Sequence, residues 1–241
     1  MRAKITLPLI LFFIGILLFI FSGKFIIEKT TAAYTSQQQS STNPAPGKDD
    51  KLTVCLDPGH GGYDVGTKSL SGIYEKNVTL EIALKVGKIL EKNNIKVIYT
   101  RNSDKVPWPS NEKEDLRTRA KISNDAKADL FVSIHCNGNT NSSYKGIETW
   151  CRFPNTEGEE FAKTIQKELS SYNYTSDRGI KYESEKSLAV LKFTDSVSAL
   201  VELGFLTNSS DEKFITSESG QGKCAEAVAK AILSYGASYK N

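Results

Sequence analysis

The chain has 241 residues and a formal net charge of only +3. Apart from its N-terminus, its composition is that of an ordinary soluble domain, and the roughly 190 residues after the first fifty suit one domain with a full core. The charge is small and no basic cluster is interleaved with aromatic residues, so we expect no nucleic-acid partner.

Residues 1–29 predict a membrane anchor or a signal segment. Arg2 and Lys4 precede an uncharged run of Leu, Ile and Phe over residues 5–22. The run is long for the core of a signal peptide and near the minimum for a membrane-spanning helix. Positive charge before the run predicts a cytoplasmic N-terminus and an extracytoplasmic remainder. We favour an uncleaved anchor over cleavage near residues 31–33, and both remain open.

Residues 30–51 predict a flexible spacer. They are rich in Ser, Thr, Gln, Pro and Ala and contain almost no large apolar side chain. Such a composition buries too little apolar surface to fold by itself. We therefore expect the folded domain to comprise residues 52–241.

Short apolar runs alternate with helical periodicities along this domain. The expected strands are Leu52–Leu56, Ile95–Thr100, Leu130–His135, Gly146–Cys151, Leu188–Lys192 and Ala199–Gly204. The expected helices are Asn77–Lys92 with Asn77 as its N-cap, Glu112–Ala126, Thr156–Ser171 and Gly222–Tyr235. This alternation predicts a single α/β domain with a mostly parallel central sheet flanked by helices.

The four cysteines show no C-x-x-C spacing, and three of them fall in or directly after predicted strands. They are Cys55, Cys136, Cys151 and Cys224. An exported chain could pair them, but we favour buried thiols over disulfides.

Four ionisable residues stand where a parallel sheet gathers its ligands, at strand ends and helix starts. His60 and His135, the only histidines, each follow or end a predicted strand. Glu75 precedes a predicted helix, and Glu202 lies within the apolar strand ALVELGF. Taken alone, such a histidine is more often a hydrogen-bonded turn residue, and a glutamate at a helix start more often compensates the helix dipole.

Together, two histidines and a carboxylate form a known catalytic zinc set that leaves a fourth position for water. Zinc lowers the pKa of that water to roughly 7 and polarises a carbonyl group. A second carboxylate can then move the proton, and the apolar neighbours of Glu202 favour a raised pKa that suits this role. The candidates are far apart in sequence, so this is not the helix-borne H-E-x-x-H site of a metalloprotease.

Four segments resemble, in order, the signatures of the N-acetylmuramoyl-L-alanine amidases of the zinc-dependent type-3 amidase family. They are VCLDPGHGGYDVGT, GIYEKNVTLEIALKVGKIL, LRTRAKISNDAKADLFVSIHCN and ALVELGFLTNSSDE. The match spans residues 52–235. The resemblance implies Zn²⁺ ligands His60, Glu75 and His135, with Glu202 as the catalytic glutamate. It also implies hydrolysis of the amide that joins the lactyl group of N-acetylmuramic acid to L-alanine in peptidoglycan.

Two further positions are expected to bind substrate. Asn137 follows His135 closely enough to line the cleft. The stretch Arg178-Gly-Ile-Lys resembles the family's R-G-[IV]-K pattern, which implies contact between Arg178 and the carboxylates of the peptide; a solvated loop is the equal alternative.

Other signature positions are expected to serve structure. Asp57 should brace the turn at His60, and a role as hydrogen-bond partner of the metal ligand and a purely structural role are equal alternatives. For Arg119 and Asn124, which lie on a predicted helix, we favour roles in packing and helix capping over a role in catalysis. Cys136 stands where relatives commonly carry an apolar residue, and it should point away from the metal because adjacent strand residues face opposite sides.

An anchor, a spacer and one domain without wall-binding repeats also resemble the germination-specific cortex amidases of spore-formers, which implies a step in muramic-δ-lactam formation. A general autolysin or cell-separation amidase is the alternative within the class. Outside the amidase class, the alternatives are a zinc exopeptidase or deacetylase and a non-catalytic peptidoglycan-binding protein.

The short segment between His135 and Glu202 predicts that no built-in helix occludes the site. Control of the activity is therefore expected from expression, an activator protein or the form of the substrate.

Overall fold

The structure, a computed structural model, describes residues 51–239. The predicted membrane segment and nearly all of the predicted spacer lie outside the described residues. Within the described range, no helix combines the length and the apolar character needed to cross a membrane.

Twelve elements of regular structure form this part of the chain. The strands are β1 (Thr53–Pro58), β2 (Lys96–Tyr99), β3 (Leu130–Asn137), β4 (Ile147–Cys151), β5 (Asp177–Tyr182) and β6 (Val197–Phe205). The helices are α1 (Glu75–Lys92), α2 (Glu112–Asp125), α3 (Glu157–Ser170), α4 (Ala189–Phe193), α5 (Ser209–Ile215) and α6 (Glu218–Tyr239).

The strands form one sheet in the order β2-β1-β3-β6-β4-β5. Every pairing is parallel except that of β4 with β6, which is antiparallel. The predicted α/β domain with a mostly parallel, helix-flanked sheet is therefore confirmed. The parallel register places His135 of β3 directly beside Glu202 of β6.

The two faces of the sheet differ in character. Helices α1, α3 and α6 bury the larger apolar cluster against one face, and α2 and α4 cover a smaller cluster around Phe131 and Leu200 on the other. Side chains alternate along a strand. His135 and Glu202 therefore share the α2/α4 face, whereas Cys136 belongs to the larger cluster on the opposite face.

Three elements differ from the sequence expectation. The run predicted as the strand Leu188–Lys192 is the helix α4, and β5 and α5 were not predicted at all. Periodicity cannot distinguish a strand from a short buried helix in so short an apolar run. In the fold, Val190 and Leu191 are buried in the Phe131 cluster.

Asn77 is not the N-cap of α1. The helix begins at Glu75 after Tyr74, which makes no side-chain capping bond. Its first N–H groups are satisfied by loop carbonyls instead: Glu75 N donates to Thr67 O at 2.8 Å, and Lys76 N to Val65 O at 3.3 Å. Because the loop backbone does the capping, no side-chain signal marks the start of the helix.

All four cysteines are buried free thiols, as favoured from the sequence. Burial raises the pKa of the Cys55 thiol to about 12, and that of Cys224 likewise to about 12. These thiols therefore act as small apolar side chains in the packed interior.

A buried carboxylate fixes the end of β1. Asp57 accepts hydrogen bonds from Thr100 Oγ1 at 2.6 Å, Ser133 Oγ at 2.7 Å and Arg119 Nη1 at 2.9 Å. Burial alone would raise the Asp57 pKa, but the Arg119 charge and the two hydroxyl donors lower it. Asp57 is therefore held as a charged partner of Arg119, which also pairs with Asp115.

We predict that Asp57→Asn lowers the free energy of unfolding by about 3–5 kcal/mol, because it removes the fully buried one of the two carboxylates that pair with Arg119. Urea unfolding at neutral pH measures the change. Since the folded-state pKa of Asp57 is depressed, its contribution is present above the unfolded value near 3.9 and is lost as the pH falls below it. The difference between the two chains should therefore shrink in acid.

The matched control is Asp125→Asn. Asp125 pairs with Lys121 one helical turn away on α2, but both side chains are more than 60 % exposed. Its loss should cost less than about 1 kcal/mol. Equal effects of the two substitutions would contradict the bracing role of Asp57.

Candidate active site

His60 lies in a tight turn directly after β1. Its φ of 62° is in the left-handed region, as are those of Gly61 and Gly62. A non-glycine residue in this region costs roughly 1–2 kcal/mol. Two buried guanidinium groups stabilise the turn through its carbonyls: Arg119 Nη2 donates to His60 O at 2.7 Å, and Arg101 Nη2 to Gly59 O at 2.9 Å.

The turn brings His60 against Glu75 and His135. Glu75 Oε1 lies 3.1 Å from His60 Nε2 and 3.2 Å from His135 Nδ1. The ligand atoms of the three residues all lie within 4.8 Å of one another. Glu75 and His135 follow His60 by 15 and 75 positions in the chain. They meet His60 because the carboxyl ends of β1 and β3 and the start of α1 lie together.

Asp64 orients the His60 ring. Its Oδ2 lies 2.7 Å from His60 Nδ1, so that Nε2 faces Glu75. A carboxylate on the far nitrogen is the usual partner of a metal-binding imidazole. Sequence reasoning missed Asp64; the available signal was a carboxylate four residues after a histidine in a glycine-rich turn.

Two glycines make room for the cluster. A Cβ at Gly59 would lie 2.4 Å from the His135 ring, and a Cβ at Gly66 would lie 2.7 Å from both Glu75 Oε2 and the His60 ring. Glu75 is fixed further by two backbone donors, Thr67 N on Oε2 and Cys136 N on Oε1, each at 2.9 Å. The approach of the three side chains therefore depends on backbone that carries no side chain of its own.

The three groups have displaced pKa values. Burial would raise the pKa of Glu75, but hydrogen bonds to His135 and His60 lower it. Burial would lower the pKa of His60, but the carboxylates of Asp64 and Glu75 raise it to about 10. Burial lowers the pKa of His135. The cluster thus holds a buried anion between two imidazoles, one of which is readily charged.

This donor set fits zinc. Two imidazole nitrogens and one carboxylate oxygen are the three protein ligands of a catalytic site that keeps its fourth position open. Within residues 51–239, these are the residues whose facing donor atoms could hold a metal ion. Cys136 follows His135 in the chain but points into the apolar cluster on the other face.

Glu202 lies beside this cluster on β6, paired with His135 on one side and Glu148 on the other. Its Oε2 is buried and has no hydrogen-bond partner among the described residues. Burial, together with the negative charges of Glu75 and Glu148, raises the pKa of Glu202 to about 8. A carboxyl group of this kind can accept and return a proton near neutral pH.

Asn137 and Arg178 both contact Glu148. Asn137 Nδ2 donates to Glu148 Oε1 at 2.9 Å, and Arg178 Nε donates to Glu148 Oε2 at 2.7 Å. Arg178 lies on β5, so the solvated-loop alternative is wrong. Sequence reasoning missed Glu148, although it shares with Glu202 the signal of a charge inside an otherwise apolar strand.

A cavity of about 500 Å³ opens beside the two histidines on the α2/α4 face. Its polar wall includes Asp64, Tyr63 and Lys186, and its apolar wall includes Leu116 and Leu200. His60 and His135 thus line a cleft large enough for a ligand, whereas Glu75, Asn137, Arg178 and Glu202 are not part of its lining.

This geometry is that of a hydrolase: donors for one divalent cation and a carboxylate able to move a proton lie at one sheet edge above an open cleft. The family model described as N-acetylmuramoyl-L-alanine amidase matches residues 54–234. The chain belongs to this family and is a peptidoglycan amidase, which confirms the resemblance found in its sequence.

Three similar proteins support the assignment. The germination-specific N-acetylmuramoyl-L-alanine amidase of Bacillus subtilis (strain 168) is 34% identical over 189 residues, covering 76% of this chain and 78% of that protein. The crystal structure of an N-acetylmuramoyl-L-alanine amidase from Clostridium difficile 630 is 38% identical with a TM-score of 0.70, covering 78% of this chain and 98% of that one. The CwlD amidase from Clostridioides difficile, in complex with the GerS lipoprotein, is 32% identical with a TM-score of 0.72, covering 78% of this chain and 100% of that one.

The facing donors predict that the full chain binds one zinc ion, measured by competition with a chromophoric chelator. Asp64→Asn should weaken zinc roughly 10- to 100-fold, since it removes only the partner that orients His60. His60→Ala removes a ligand atom and should weaken zinc further. Excess zinc should also raise the unfolding temperature of the native chain.

Glu159→Gln is the matched control. Only 5 % of the surface of Glu159 is exposed, and it accepts a hydrogen bond from Tyr182 Oη at 2.6 Å. It lies in the first turn of α3, outside the group of residues that could hold the metal ion. It should leave zinc affinity unchanged. Unchanged affinity in His60→Ala would contradict the ligand assignment.

Proposed function

We propose that the enzyme cleaves the lactyl–L-alanine amide of peptidoglycan in a zinc-dependent reaction. His60, Glu75 and His135 hold the ion, and Glu202 is the general acid and base. One observation carries this proposal: three donor atoms converge within 4.8 Å of one another beside a buried glutamate oxygen that has no partner among the described residues.

The ligand side chains are held before any ion binds. Asp64 fixes the His60 ring, while Thr67 N and Cys136 N fix the Glu75 carboxylate. Zinc bound there supplies a Lewis acid for the scissile carbonyl and a lowered pKa for the attacking water. Side chains fixed in this way would hold the ion without first rearranging.

Glu202 moves the proton. Its carboxylate removes a proton from the attacking water, and its carboxyl group then donates that proton to the leaving nitrogen of L-alanine. The neighbouring charges of Glu75 and Glu148 and the burial of Glu202 support this role, since they raise its pKa to about 8. Its place directly beside His135 in the sheet register puts it next to a proposed zinc ligand.

Asn137 and Arg178 bind the peptide. Arg178 is partly exposed, and its guanidinium lies 5.2 Å from the centre of the Phe205 ring and 5.9 Å from that of Tyr144. These contacts hold a positive charge near the strand next to Glu202. A carboxylate-bearing peptide is the substrate that such a charge favours.

We predict that Glu202→Gln lowers the rate of wall hydrolysis roughly 100- to 10,000-fold, the usual contribution of a general acid or base. The amide cannot take up the proton, but the metal ligands are untouched, so zinc affinity should stay within a factor of two of the native value, roughly the precision of chelator competition. Release of new N-terminal L-alanine from purified peptidoglycan measures the rate.

Glu159→Gln again serves as the control and should retain the native rate. An active Glu202→Gln variant would show that another group moves the proton. Loss of zinc together with activity would instead give Glu202 a structural part in the metal site.

The biological setting is also a proposal. Residues 1–29 anchor the enzyme to the membrane, residues 30–51 are a spacer, and residues 52–241 act outside the cytoplasm on the spore cortex. The germination-specific name of the Bacillus subtilis relative supports the cortex over the alternative of a general autolysin. The similar amidase in complex with a lipoprotein supports an activator partner.

We predict that the full chain releases more peptide with N-terminal L-alanine from cortex peptidoglycan than from vegetative wall, with product masses as the measurement. Equal digestion of both walls would favour the general autolysin. If the purified chain digests neither wall but becomes active in a membrane extract of sporulating cells, an activator is required.

A further inference from the structure

Glu148 is a buried carboxylate at the centre of a polar cluster beside the site. Only 5 % of its surface is exposed. Oε1 accepts from Asn137 Nδ2 at 2.9 Å and from Trp150 Nε1 at 3.3 Å, and Oε2 accepts from Arg178 Nε at 2.7 Å. Glu202, its partner on the neighbouring strand, has a buried oxygen without any donor. The two adjacent glutamates are therefore equipped for different tasks.

Arg178 is held on several sides but keeps donors free. Its Nε binds Glu148, and its guanidinium lies over the rings of Phe205 and Tyr144. Its stem packs where a Cβ on Gly146 would come within 2.7 Å. Among residues 51–239, the guanidinium makes its one hydrogen bond through Nε, and its two terminal NH₂ groups donate to no protein acceptor. A guanidinium fixed in this way presents a planar fork that matches a carboxylate.

The strand spacing indicates which carboxylate can reach it. Arg178 stands on β5, two strands from Glu202, and its side chain turns back to Glu148 on the strand between them. Neighbouring strands are about 4.8 Å apart, so the fork lies roughly 5–10 Å from the strand of Glu202. An extended peptide spans about 3.3–3.6 Å per residue. The distance corresponds to the second or third residue of the stem peptide.

We propose that Glu148 is a positioning residue for substrate specificity: it orients Arg178 to bind a carboxylate on the second or third residue of the stem peptide. Asn137, held by the other oxygen of Glu148, is two residues from His135 on β3. The inference depends on the proposed function, because it takes the cleft beside Glu202 as the site of the scissile amide.

The test measures equilibrium binding, so that it does not depend on turnover. The full chain carrying Glu202→Gln is titrated calorimetrically with an N-acetylmuramoyl tripeptide that has free carboxylates. The comparison ligands carry a carboxamide at the second residue, at the third residue, or at both. We expect the free form to bind roughly 10-fold or more tightly than the doubly amidated form. The singly amidated ligands identify the residue recognised.

Adding Glu148→Gln or Arg178→Lys should abolish this preference while leaving the affinity for the doubly amidated ligand unchanged. The matched controls are Glu183→Gln and Arg152→Lys. Arg152 Nε binds Glu183 at 3.0 Å, and the pair has side-chain exposures of 35 % and 11 %, against 32 % and 7 % for Arg178 and Glu148. Both controls should keep the preference. Arg178→Lys retains the positive charge at a partly exposed position, so the fold should tolerate it. If Glu148→Gln does not fold, Arg178→Lys still tests the carboxylate preference.

Three results would overturn the proposal: equal binding of free and amidated ligands, failure of every ligand to bind, or an equal loss of affinity for all ligands in the Glu148 and Arg178 variants. The last is the result expected of a purely structural ion pair. If the native chain does not hydrolyse peptidoglycan but the carboxylate preference is preserved, the proposed function is contradicted. The proposal that Glu148 and Arg178 recognise a carboxylate would remain supported.

Discussion

The ion pair between Asp57 and Arg119 is the constraint on which the site depends. Both side chains are buried, and each is satisfied by several partners. Arg119 also donates to the carbonyls of Pro58 and His60, so a single guanidinium joins the end of β1 to the first candidate ligand. A turn with three consecutive residues in the left-handed region has little stability of its own. The position of His60 is therefore set by a charge pair beneath it, and not by the local preference of the turn.

The pair lies on one of two sheet faces that differ in character. The face covered by α1, α3 and α6 is packed with apolar side chains, whose burial supplies most of the stability of such a domain. The opposite face carries Asp57, Ser133, His135 and Glu202 on adjacent strands beneath a shorter helical cover. Alternation along β3 separates the two roles residue by residue, with Ile134 and Cys136 in the core and His135 at the cleft.

The sequence predicts those features that depend on local pattern. The apolar runs and periodic helices predict the sheet, and glycines at strand ends predict the turns that carry the ligands. It fails where tertiary contacts decide. The backbone of the loop before α1 caps the helix and displaces its start from Asn77 to Glu75. Residues 177–182 have a mixed polar pattern, and they become a strand only because β4 offers a free edge. The run around Val190 becomes a helix because it covers the Phe131 cluster.

The same distinction applies to the site. Glu202 and Glu148 give an identical signal in the sequence, a carboxylate inside an apolar strand. Their difference comes entirely from neighbours on other strands. Glu148 meets an amide, an indole and a guanidinium, which donate to both of its oxygens. Glu202 meets two carboxylates and no donor on its buried oxygen, which disfavours its charged form. A buried charge that is fully satisfied orients other groups, whereas one left unsatisfied is available to exchange a proton.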